Sequence, residues 1–179
     1  MLNQITPPRS PNQPPEDAIQ LLTACHVRIR HFSAAAVKLA HAQAASADDI
    51  RMSAAGVYRY LSVSLPLHEA DEEDTVRPRL NAAADDHVRH ALIAMHDQHQ
   101  AIDELVERLL PLLLMVQRNP AVIHDAGIEM CSITKALQEI FDAHLKLEED
   151  AIFPTIQSLL PEAERQLMLT EMQKRRQQG

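Results

Sequence analysis

Tryptophan is absent from this sequence, and only two tyrosines and three phenylalanines are present. An interior with so few rings must be filled by Leu, Ile, Val, Met and Ala. Glycine is equally scarce, at three residues in 179. The abundant residues are Ala, Leu, Glu, Gln and Arg, which lose little on entering a helix, so strands are poorly supported. The two cysteines, Cys25 and Cys131, show no CxxC spacing; nothing suggests a disulfide framework, and a reducing cytoplasm is expected. No run approaches the roughly 18 uncharged apolar residues of a membrane span, and no apolar segment follows basic residues at the start, so a soluble, unprocessed chain is expected. Positive charge is in deficit, with 17 Lys and Arg against 25 Asp and Glu and a net charge of -8. Such a surface repels nucleic acid and anionic membranes.

The length suits one domain with a single core. Met1 to Pro15 holds five of the eleven prolines and reads as a flexible Pro-rich arm over residues 1–15. Apolar residues then return at helical spacing in four stretches: from Glu16 to about Ala44, from Ser46 through Leu65, from Asp85 or Asp86 through Leu109, and from about Asp125 through Leu147. Pro66 predicts a kink or short break just before His68, and Asn119-Pro120 predicts a turn. Four long helices with short connections imply an all-α fold, an antiparallel up-down-up-down four-helix bundle over residues 16–160. Pro161 opens a short extra C-terminal helix that ends in a basic, polar tail, together residues 161–179. No internal repeat stands out.

Ten histidines are present, and two of them carry a glutamate four residues on: His68 with Glu72, and His144 with Glu148. On a helix this spacing places both side chains on one face. One such pair is weak evidence in an acidic, His-rich chain. Height along the bundle is stronger evidence, at about 1.5 Å per residue. His26 and His68 lie about 20 and 22 residues from the first expected turn, His68 and His99 about 15 or 16 from the second, and His99 and His144 about 22 or 23 from the third. All four helices bring a histidine to one layer, where His26, His68, Glu72, His99, His144 and Glu148 can converge. Imidazole with carboxylate and no thiolate suits iron, with manganese or zinc fitting less well, and the set is too large for one tetrahedral ion.

The segments HLKLEEDAIFP (His144 to Pro154) and LHEADEEDTVRP (Leu67 to Pro78) resemble the two HxxxE repeats of hemerythrin-like, or HHE cation-binding, domains. ACHVRIRHF (Ala24 to Phe32) and DQHQAIDEL (Asp97 to Leu105) are similar to that family's single-His helices. The resemblance covers roughly residues 18 to 160 and implies a four-helix bundle around an oxo- or hydroxo-bridged pair of iron ions. It also implies a small ligand, dioxygen, nitric oxide or peroxide. Met95 stands four before His99, where oxygen-carrying members have a second histidine, and Arg77 stands where Phe usually precedes the proline. Glu69, beside His68, is an additional candidate carboxylate, as in some regulatory members, while His96 stays outside the expected ligand set.

Function is expected to be the binding or sensing of dioxygen, nitric oxide or iron, in iron homeostasis or oxidative and nitrosative stress. The alternative is a di-iron oxidase, peroxidase or ferroxidase. No nucleic-acid or membrane partner is expected, and a homodimer is compatible with the sequence. Asp71, Glu73, Asp74, Glu149 and Asp150 read as a wet acidic face, Cys25 as a buried structural thiol, and Tyr58 and Tyr60 as core packing.

Overall fold

A computed structural model of the chain describes residues 15–83 and 85–178, so nearly all of the expected arm lies outside the described residues. The described residues form five helices: α1 (Ala18–Ala40), α2 (47–83), α3 (Asp86–Arg118), α4 (123–159, led in by a short 3₁₀ turn at Pro120–Val122) and α5 (Glu162–Gln178). Their starts follow local chemistry. Asp17 caps α1 by accepting from the Gln20 N–H at 2.8 Å, Ser46 caps α2 through the Asp49 N–H at 3.1 Å, and Asp85 caps α3 through the Val88 N–H at 3.0 Å. Each cap satisfies one donor that the first helical turn leaves free.

The break expected at Pro66 is replaced by a wide helical turn. The Leu65 N–H reaches back five residues to the Tyr60 carbonyl, and Pro66 follows at once. The same arrangement recurs at Arg77, bonded to Glu72 and followed by Pro78, and at Phe153, bonded to Glu148 and followed by Pro154. A proline lacks the N–H and crowds the carbonyl four residues earlier, and a π turn absorbs both defects without ending the helix. Pro111 is carried inside the continuous helix α3.

Helix α1 packs along α2 and α4, and α3 packs along the same two helices, so the four enclose a common interior. Gly127 allows α4 to approach the end of α1, because a Cβ there would lie 3.1 Å from the Ala40 carbonyl oxygen. The aliphatic interior is divided. One cluster, including Ile29, Leu61, Leu65, Ile102, Leu109 and Leu145, fills one end. The other, including Leu22, Val76, Leu92, Met95, Ile152 and Ile156, fills the other end.

Helix α5 belongs to the second cluster through Met168, Leu169 and Met172. It also corrects two expectations. The basic stretch is helical to Gln178 rather than a tail. Asp71 is fully buried instead of part of a wet face: one oxygen accepts from Arg175, and the other forms an ion pair with Arg176 at 2.5 Å. A lone buried carboxylate would be costly to desolvate, so the two guanidiniums dock α5 against α2. Met168 is fully buried while its neighbour Leu167 is 53% exposed, which defines the docking face. Met168→Ala is expected to lower unfolding free energy by about 2–4 kcal/mol, and Leu167→Ala to stay within about 0.5 kcal/mol. Denaturant titration of both variants checks this; equal effects would contradict the docking face.

Candidate metal centre

Between the two apolar clusters lies one polar layer, in which His26, His68, Glu72, His99, His144 and Glu148 are all at most 4% exposed. Each comes from a different position on the four helices: His26 from α1, His68 and Glu72 from α2, His99 from α3, His144 and Glu148 from α4. They form two groups, His26, His68, Glu72 and Glu148, and His99, His144, Glu72 and Glu148, with one donor atom of each member within 4.8 Å of the others. The two glutamates belong to both groups.

Each carboxylate divides its oxygens between the groups. Glu72 Oε1 lies 3.0 Å from His68 Nε2, and its Oε2 lies 3.0 Å from His99 Nε2. Glu148 Oε2 lies 2.9 Å from His26 Nε2, and its Oε1 lies 3.5 Å from His144 Nε2. Despite these distances, His26 Nε2, His68 Nε2, Glu72 Oε1 and both Glu148 oxygens make no hydrogen bond. The lone pairs converge without aiming at one another, and an orphaned buried polar atom is expensive. A cation in each group would satisfy them, so the residues present fit a pair of metal ions.

The outer nitrogens set the tautomer of three of the four rings, whereas His68 Nδ1 has no hydrogen-bond partner. His26 Nδ1–H donates to Glu149 Oε1 at 2.8 Å, and His99 Nδ1–H donates to Glu73 Oε1 at 2.8 Å. His144 Nδ1–H donates to Gln98 Oε1 at 3.1 Å. Each bond leaves Nε2 as an acceptor facing the layer, as a metal-binding imidazole requires. Arginines hold the two acceptor glutamates in turn: Arg30 contacts both oxygens of Glu149 at 3.0 Å, and Arg77 donates to Glu73 at 2.5 Å. Arg77 therefore anchors the layer from the position where Phe153 in the other repeat stacks on the His26 ring, with centroids 5.0 Å apart.

These outer residues were not legible as such in the sequence, where Glu73 and Glu149 read as a solvated face. The available signal was the Glu-Glu doublet shared by the two HxxxE segments. In both, the first glutamate turns into the layer and the second reaches the histidine of a neighbouring helix. The structure thus relates α1 to α3 and α2 to α4 by an approximate two-fold correspondence.

Glu69 is not brought into either group. It is half-buried, and its carboxyl faces Asp103, whose charge and hydrogen bond add to burial in raising its pKa. It follows His68 directly, and one residue of helix turns a side chain by about 100°. His96 is also outside; its Nδ1–H shares Glu73 with His99 at 3.1 Å. Met95 is fully buried in the apolar cluster.

Burial, aided by the neighbouring imidazoles, pushes His68 and His144 well below the ordinary histidine value, so both rings are neutral and free to bind a cation. Burial also drives Glu72 well above the carboxylate range. Glu148 is pushed up to about 8 by burial and by the facing charge of Glu72. In the metal-free protein Glu148 is thus protonated where an unfolded glutamate is not, and its stabilising contribution is lost as pH rises from 4.5 to about 8. Protons and cations compete for these carboxylates. Metal loading near neutral pH is expected to expel protons, with apparent affinity rising between about pH 6 and pH 8. Calorimetric titration in buffers of different ionisation enthalpy measures the release; uptake without it would contradict the assignment of the carboxylates.

A family model described as the hemerythrin HHE cation binding domain matches residues 17–156. No curated protein matches the chain. The match spans all four helices of the layer and both HxxxE segments. The chain belongs to the hemerythrin HHE cation-binding domain family.

Proposed function

We propose that this chain is a hemerythrin-like non-haem di-iron protein that binds or senses dioxygen or nitric oxide, with a role in iron homeostasis or in oxidative and nitrosative stress. The observation that carries the reading is the sharing of Glu72 and Glu148 between two histidine pairs. His26 and His68 would hold one ion and His99 and His144 the other, with one oxygen of each glutamate for each ion. Iron, when bound, supplies a reversible one-electron couple and an open coordination position for a small exogenous ligand. The proposed architecture is an up-down-up-down course of α1 to α4, with α5 added at one end.

The surroundings favour a neutral diatomic ligand. Aliphatic clusters lie on both sides of the polar layer, and a charged substrate crossing them would lose several kcal/mol of hydration. Dioxygen and nitric oxide pay no such penalty. Around the layer the chain's own groups orient the imidazoles: Glu149 and Glu73 take the Nδ1 protons of His26 and His99, and Gln98 takes that of His144. With Met95 in the apolar cluster, each group keeps two histidines and the two positions are chemically alike.

His144→Ala combined with Glu148→Ala is expected to abolish stoichiometric iron while leaving helical content intact, read by elemental analysis and far-ultraviolet circular dichroism. Retention of two irons per chain would falsify the ligand assignment. Oxygen added to the reduced wild-type protein should give a visible absorption change that reverses on deoxygenation. Sustained catalytic consumption of oxygen or peroxide over many turnovers would instead support the oxidase or peroxidase alternative.

A further inference from the structure

A separate cavity of about 220 Å³ lies where α1, α2 and the end of α5 meet, lined by Cys25, Arg28, Tyr60, Ser64, Leu67 and Arg176. None of the six residues of the polar layer lines it. Its polar wall consists of two guanidiniums, two hydroxyls and a thiol, with no carboxylate. Such a wall offers donors and positive charge.

Two groups in this wall have no oxygen partner among the described residues. Tyr60 is 5% exposed, with its ring stacked on Phe32 at a centroid distance of 4.2 Å, as expected of a core residue. Its hydroxyl makes no hydrogen bond to a described residue. Tyr60 lines the cavity together with Cys25 and Arg28, the two groups whose charges act on its ionisation. The hydroxyl is therefore free to donate to an occupant of the cavity. Arg28 donates to Cys25 Sγ at 3.2 Å and has no carboxylate within ion-pairing distance among the described residues.

The remaining charge is only partly balanced. Arg176 forms an ion pair with Asp71 and donates to the Met172 carbonyl at 2.8 Å and to Cys25 Sγ at 3.5 Å. Asp71 is shared with Arg175, whose other carboxylate neighbour is Asp74 at 3.7 Å. Of the two guanidiniums in the cavity wall, Arg28 is the one without a carboxylate partner among the described residues.

Size narrows the occupant. The cavity is several times one water's share of about 30 Å³, yet below the roughly 300 Å³ at which cofactor-sized pockets begin. We propose that it binds a small oxyanion, held between Arg28 and Arg176 with the Tyr60 hydroxyl donating to it. Inorganic oxyanions and short carboxylates share the required chemistry, a compact and delocalised negative charge on oxygen.

The full chain as purified would be titrated calorimetrically with sulfate and, separately, with formate, against chloride at equal ionic strength. One of the two oxyanions is expected to bind saturably at one per chain, sulfate indicating the inorganic class and formate the carboxylate class. Arg28→Gln and Tyr60→Phe are each expected to weaken that binding about tenfold. Arg28 is exposed, and Tyr60→Phe preserves the ring stacked on Phe32, so both variants are expected to fold. Metal content and visible spectrum should stay unchanged on anion binding. The proposal fails if neither oxyanion exceeds chloride, if either variant binds as the wild type does, or if the bound anion alters the spectrum, which would locate it at the metal.

Discussion

Six ionisable side chains enclosed between two aliphatic clusters impose the constraint on which the rest of the structure depends. Removing four imidazoles and two carboxylates from water costs several kcal/mol for each uncompensated charge. The metal-free protein meets part of that cost by neutrality: His68 and His144 shed protons, and Glu72 and Glu148 retain them. Neutrality does not supply every hydrogen bond, however, and His26 Nε2, His68 Nε2, Glu72 Oε1 and both Glu148 oxygens remain without one. A pair of cations would satisfy both demands, which would couple metal binding to folding.

The surrounding helices can be understood from that layer outward. Each Glu-Glu doublet begins a wide turn that ends immediately before a proline, so the helix continues past a residue that would otherwise break it. The first glutamate of each doublet enters the layer, and the second holds an imidazole on a neighbouring helix. Arg30 and Arg77 then fix those outer glutamates from unrelated positions in the chain. The correspondence between halves breaks at Cys25 and Gln98, which precede His26 and His99. Gln98 supports His144, whereas Cys25 forms the wall of a guanidinium-lined cavity.

Much of this was legible from residue spacing. Helix starts near Glu16, Ser46 and Asp85 or Asp86 were visible because apolar residues begin to return at helical spacing there. The convergence of His26, His68, His99 and His144 followed from equal heights, a property of helix rise alone. What spacing cannot show is the direction of a side chain after a non-standard turn. Glu73 and Glu149 read as surface acids, and spacing did not show that each also reaches a histidine on a neighbouring helix, or that Glu69, beside His68, faces Asp103. Asp71 and the Arg175-Arg176 pair are far apart in sequence, so their burial together depended on the docking of α5.

The central claim is that two cations share Glu72 and Glu148. Anomalous diffraction from crystals of the iron-loaded protein, collected on both sides of the iron absorption edge, tests it most directly. The account predicts two iron peaks per chain, one beside His26 and His68 and one beside His99 and His144, with both glutamates touching each. A single peak, or peaks away from these carboxylates, would contradict it.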